Sequence, residues 1–206
     1  FMRGFVSVPL LAVIAFFRKS LFIRIDWRNW RVILIRAFAE LASTMLFLNA
    51  LAQMPLANVS AILQSLPLTV TMFAAMFFGE AVGWRRWSAI LVGFIGVLII
   101  IRPGSDGFNE YAVLALIAVG FITLRDAITR RLDRSVPSLF VAFVSAIPVF
   151  LFGGAMTVTT GWTPVSWSMG IIVTVAAISI TCGYLFAVMA MRIGDISFVA
   201  PFRYTG

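Results

Sequence analysis

Seven apolar runs, most of them long enough to cross a lipid bilayer, divide this chain of 206 residues. They occupy 4–17, 32–53, 55–79, 84–101, 109–129, 136–160 and 168–191, and a further apolar start follows from 196. A hydrocarbon core about 30 Å thick takes roughly 20 apolar residues in helical form. Within lipid, only helices and closed barrels satisfy every backbone N–H and C=O internally. Barrel strands would be about 10 residues long with alternating polarity, and these runs show neither property. The expected fold is an all-α polytopic membrane protein. Composition agrees: 12% of the residues are charged and 62% apolar, against about 25% and 45–50% in soluble domains.

The residue inventory removes several function classes. There is no histidine, and Cys182 is the single cysteine. Disulfide frameworks, Cys- or His-based metal centres and Ser-His-Asp chemistry are therefore excluded. No cofactor is implied. An intramembrane enzyme would need clustered carboxylates or His for acid–base or metal work. The eight acids are scattered instead. The closest pairs, Asp106 with Glu110 and Asp126 with Asp133, fit solvated helix ends, and no enzyme is expected.

The formal charge of +8 comes from fifteen arginines and one lysine. Most fall in alternate connections: Arg18, Lys19, Arg24, Arg28 and Arg31; Arg85 and Arg86; Arg130, Arg131 and Arg134; Arg192. The positive-inside rule then places 18–31, 80–87, 130–135 and 192–195 in the cytoplasm and 161–167 outside. The basic excess is thus a topology signal rather than a nucleic-acid footprint, although 18–31 could also attract anionic lipid. Trp27, Trp30, Trp84 and Trp87 flank these arginines, while Trp162 and Trp167 bracket the uncharged outer turn. Both sets read as an interfacial aromatic belt.

Spacing suggests an internal repeat. Pro148 follows Pro9 by 139 residues, and the same offset carries the turn at 53–56 onto 192–195. It also carries the basic loop 18–31 onto the uncharged 157–170, so matching loops lie on opposite sides. That is the pattern of inverted-topology repeats, which hold substrate near the bilayer midplane. The chain opens on Phe1 inside an apolar run, and its last run stops at Gly206 after about 11 residues, too few to cross. The expectation is a piece of a longer protein.

Particular motifs add a family likeness. Leu34-Ile35-Arg36-Ala37, Asn49-Ala50-Leu51-Ala52-Gln53-Met54-Pro55-Leu56-Ala57-Asn58, Phe78-Gly79-Glu80 and Trp84-Arg85-Arg86-Trp87 resemble the EamA-like drug/metabolite transporters. So do Gly93 and Gly96 in the helix ending Ile101-Arg102-Pro103-Gly104, then Ile193-Gly194-Asp195 and Val199-Ala200-Pro201-Phe202-Arg203-Tyr204-Thr205. The resemblance implies ten helices in two inverted repeats of five, with about eight represented in this fragment. It divides the chain into a first repeat at 1–104, lacking its first helix, and a second at 105–206, truncated within its fourth helix. It also implies cargo among small organic metabolites.

Polar residues too deep to reach water mark a candidate site. Arg36 and Arg125 each lie about 6 Å from a helix end, close enough to snorkel. Glu40 and Arg203 are each about 12 Å in, where a charge costs at least about 2.5–3.5 kcal/mol. They are expected either to pair or to line a transport cavity. Arg36, Glu40, Ser43 and Thr44 share one helical stripe. Asn58, Ser65 and Thr69 form a stripe on 55–79, and Ser60, Gln64 and Thr71 another. Tyr184 and Tyr204 lie within spans, where an unpaired hydroxyl is costly. The candidate substrate-binding set is Glu40, Gln64, Tyr184, Arg203, Tyr204 and Asn58, with interhelical hydrogen bonding the alternative role for each. Pro67 and Pro148 are expected to kink their helices. Arg125 and Asp126 are expected to form a local pair.

These features together predict an inner-membrane permease that moves a small-molecule metabolite by alternating access. A flippase for a lipid-linked carrier is the alternative, and proton coupling through Glu40 stays level with facilitated diffusion. The expected partners are the metabolite and the lipid bilayer, with no nucleic acid and with a homodimer left open.

Overall fold

A computed structural model describes residues 2–21, 23–80, 82–101, 110–161 and 166–193. Among these residues every regular element is helical: α1 Met2–Phe17, α2 Trp27–Gln53, α3 Leu56–Leu63, α4 Leu66–Phe78, α5 Trp84–Ile101, α6 Glu110–Thr129, α7 Ser138–Thr160 and α8 Trp167–Ile193. Five stretches are long and apolar enough to cross a membrane: Trp27–Gln53, Leu56–Phe78, Glu110–Thr129, Ser138–Thr159 and Trp167–Ala190. The chain is an all-helical, multi-pass membrane protein.

Two boundaries differ from the apolar runs. Helix α2 begins at Trp27 rather than 32, because Asp26 caps it: its carboxylate accepts the Arg28 backbone N–H at 3.3 Å. Part of the basic segment is therefore helical, and Glu40 lies about 20 Å along α2 from Trp27. The run 55–79 is one span interrupted between Leu63 and Leu66, the local disturbance expected at Pro67. Pro67, in the first turn of α4, has no N–H to continue the ladder. The chain turns at Gln64 and Ser65, where the Ser65 hydroxyl donates to the Ile62 carbonyl at 2.6 Å. Pro148, by contrast, sits inside a continuous α7.

Helix α6 is the hub, packed against α2, α3, α4 and α8. Helix α2 also meets α7, α1 lies on α7 and α8, and α5 covers α3 and α4 from outside. Gly93 of α5 packs directly on Leu68, whereas Gly96, also expected to allow close approach, faces open space. Two apolar clusters bracket the middle of the bundle. One joins Ala50, Ile62, Val97, Ala112, Ala115 and Val119; the other joins Ile33, Leu132, Val136, Phe140 and Val141. Helix α2 contributes to both, and its segment 36–40 lies between them. Outward faces carry exposed Phe38, Leu91, Val92, Ile172 and Phe186, the arrangement of a bundle whose solvent is lipid.

The basic connections gather at one end. Asn29 Nδ2 donates to Asp133 Oδ2 at 2.7 Å, and the Asp133 N–H returns a bond to Asn29 Oδ1 at 3.2 Å. Arg192 Nη1 donates to the Val136 carbonyl at 2.5 Å and to Ser138 Oγ at 2.8 Å, while Nη2 reaches the Asp133 carbonyl at 2.7 Å. Glu80 pairs with Arg130, and Arg131 lies 5.4 Å from the centre of the Phe78 ring. The start of α2 and the ends of α4, α6 and α8 thus share one face. Trp27, Trp84 and Trp167 are exposed there or at the opposite rim, as belt residues should be. Trp30 departs from that expectation: it packs edge-on against Phe140 at 5.9 Å.

Candidate functional site

Between the two apolar clusters lies a charged network drawn from α2, α6, α7 and α8. Glu40, midway along α2, is its centre. Its Oε1 accepts Arg125 Nη1 of α6 at 2.9 Å, and its Oε2 accepts the Tyr184 hydroxyl of α8 at 2.9 Å. Arg36, one turn earlier on α2, places Nη1 3.8 Å from Oε2. Arg125 also donates to its neighbour Asp126, with Nε and Nη2 each 2.9 Å from Oδ1.

Arg36 is the largest fully buried side chain in the described structure, at 1% exposure. A guanidinium in that setting needs its donors filled. Nε donates to Thr129 Oγ1 of α6 at 2.8 Å, and Nη1 to Ser145 Oγ of α7 at 2.5 Å. Its face lies 5.4 Å from the Tyr184 ring centre, a cation–π arrangement. Thr129 passes its own hydrogen to the Arg125 carbonyl at 2.6 Å. The network is thus closed by hydroxyls as well as by carboxylates.

Among the described residues, two arginines and two carboxylates make the cluster neutral overall. Arg36 with Glu40 and Arg125 with Asp126 form two pairs, each local to one helix, and the Glu40–Arg125 contact ties them together across α2 and α6. Glu40 and Arg125 keep 15% and 14% of their side-chain surface open, whereas Asp126 keeps 7%. The Glu40–Arg125 link is the open part of the cluster.

Of the residues read from sequence, the structure brings Glu40 and Tyr184 together here. Arg203 and Tyr204 lie outside the described residues. Asn58, on α3, and Gln64, at the α3–α4 break, are exposed. Arg36 and Arg125 correct the snorkelling expectation: both turn inward to carboxylate and hydroxyl partners. Ser43 and Thr44 prove locally satisfied, donating to the Glu40 carbonyl at 3.0 and 2.7 Å. The expected Arg125–Asp126 pair is present. Thr129 and Ser145 were missed. The three-residue spacing of Thr123, Asp126 and Thr129, all buried on α6, was the available signal. Thr123 bonds Thr69 of α4 at 2.7 Å, a separate interhelical tie. No group of His, Cys, Asp or Glu among the described residues could hold a metal ion.

A multi-pass helical bundle with a cluster of charges on two of its helices, joined by hydroxyls from two more, defines a polar centre inside the bundle. The chain belongs to the EamA-like transporter family, whose model matches residues 1–102. It is 28% identical over 200 residues to a riboflavin transporter of Vibrio cholerae, covering 94% of this chain and 66% of that protein. It is 27% identical over 151 residues to an S-adenosylmethionine uptake transporter of Rickettsia prowazekii, covering 73% and 51%. A pseudopaline exporter of Pseudomonas aeruginosa is 25% identical over 181 residues, covering 85% and 62%. The chain spans between about half and two thirds of the length of these relatives. The family and these relatives are named as transporters, not enzymes. No solved structure matches.

Proposed function

We propose that the full-length protein carrying this chain is an inner-membrane permease that moves a small organic metabolite by alternating access, with cargo meeting the Glu40–Arg125–Tyr184 face. The observation that carries this reading is the buried charge network. Four ionisable groups packed inside a lipid-embedded bundle are costly, and such residues mark substrate paths by default. The relatives' names support a small-metabolite cargo.

The reading includes two inverted repeats, 1–104 and 105–206. Helices α2 and α8 each have 27 residues, and the 139-residue offset superimposes their limits to within one residue. The same pairing exchanges the α2–α7 contact with the α1–α8 contact, as a two-fold relation between halves requires. The shared face of the basic connections is the cytoplasmic one, by the positive-inside rule.

Uptake and efflux by the full-length protein in proteoliposomes, with riboflavin, S-adenosylmethionine and a metabolite panel, test the proposal. Tyr184→Phe removes one hydroxyl donor while keeping the ring over Arg36. It should raise the KM for the cargo and leave thermal stability within about 1–2 kcal/mol of the parent. Unchanged transport kinetics in Tyr184→Phe would place the cargo path elsewhere.

A further inference from the structure

We infer that Glu40 is a tethered anion that occupies the guanidinium of Arg125 and thereby sets the charge of the cargo: solutes that use this site are neutral or zwitterionic, and free anions are refused. This inference rests on the transport reading above and names the substrate class of the same site.

The geometry supports it in three ways. First, the cluster is already balanced among the described residues, Arg36 and Arg125 against Glu40 and Asp126, so a net-neutral solute enters without leaving a charge uncompensated. An anion would bring a surplus negative charge into a low-dielectric centre, where such surplus is most costly. Second, the carboxylate of Glu40 stands where a ligand carboxylate or phosphate oxygen would stand, 2.9 Å from Arg125 Nη1 and 3.8 Å from Arg36 Nη1, with the Tyr184 hydroxyl as a further donor at 2.9 Å. Third, this is the exchangeable contact. If Glu40 and Arg125 part, Glu40 keeps Arg36 on its own helix and Arg125 keeps Asp126 beside it. A zwitterion can therefore separate them, presenting its cation to Glu40 and its anion to Arg125, with every charge still paired. Discrimination then comes from repulsion of the wrong partner as much as from attraction of the right one.

Glu40→Gln removes the tethered anion, keeps the side chain's size, and leaves the cluster with one surplus positive charge. Inorganic phosphate is the probe, since it needs no knowledge of the cargo. The full-length Glu40→Gln protein in detergent should gain a saturable rise in Tm with phosphate, absent from the parent at equal ionic strength. The rise should vanish in Glu40→Gln/Arg36→Gln, which is neutral again. In proteoliposomes the parent should carry only neutral or zwitterionic members of a solute panel, and Glu40→Gln should favour small anions over them by about tenfold or more relative to the parent.

If Glu40→Gln is unstable alone, purification in phosphate should restore it, because the added anion takes the carboxylate's place. Failure of phosphate to stabilise or rescue Glu40→Gln overturns the inference, and so does phosphate stabilisation of the parent through Arg125. A phosphate-dependent Tm in Glu40→Gln with no change in the transport of any solute would instead keep the anion pocket and remove it from the cargo path. That result would overturn the assignment of cargo charge and, separately, the transport reading of the site.

Discussion

Glu40 and Arg125 are 85 residues apart in the chain and 2.9 Å apart in space. Their contact joins two intrahelical ion pairs into one network, and that hierarchy can be measured. Glu40→Gln leaves Arg36 buried without its carboxylate, held by the Thr129 and Ser145 hydroxyls and the Tyr184 ring, at a cost of about 3–5 kcal/mol. Adding Arg36→Gln should recover most of the loss, since the Arg125–Asp126 pair stays whole. Adding Arg125→Gln instead should recover little, because Arg36 then lacks the Glu40 carboxylate and Asp126 lacks the Arg125 guanidinium. Tm values of the purified variants decide it; equal recovery in the two double variants would refute the pairing.

Arg192 closes the other polar layer. One guanidinium holds two carbonyls and a hydroxyl of the α6–α7 turn, and hydrogen bonds from a charged donor contribute about 1.5–3 kcal/mol each at most. Arg192→Gln should loosen that turn without unfolding the bundle. Arg131 and Arg134 are exposed within it, so trypsin should cut there several-fold faster than in the parent. Unchanged cleavage would mean that the Asn29–Asp133 pair alone secures the turn.

Sidedness is open to thiol labelling. Asn29 is buried against Asp133 and Gly161 has a positive φ of 86°, so neither suits a cysteine. Arg28 and Ser168 are exposed. In a Cys182→Ala background, Arg28→Cys and Ser168→Cys should react with an impermeant reagent from opposite sides, Arg28→Cys from the cytoplasm. Labelling of both from one side would sink the topology.

Gly79 ends α4 in the left-handed region, φ 65°, and donates its N–H to the Ala74 carbonyl. An added Cβ would meet no neighbour, so the cost of Gly79→Ala is conformational, about 1–2 kcal/mol. Asn tolerates this region better, and Gly79→Asn should lose less. A Tm ranking with Ala above Asn would contradict the cap assignment.

The amino-acid sequence by itself determined that the chain is a multi-pass helical bundle, where its spans run, and which connections share a face. Those are local properties: an apolar run of bilayer length must become a helix, and arginines beside it must stay at the rim. It also marked Glu40 and Tyr184 as too deep to be idle. Only tertiary structure decided their partners. Depth along a helix is one coordinate, while a contact also needs the rotation of each helix and the identity of its neighbour. Depth alone therefore sent Arg125 to the headgroups. The packing of α6 against α2 brings Arg125 within hydrogen-bond reach of Glu40, where the low dielectric favours a carboxylate over a longer route to water.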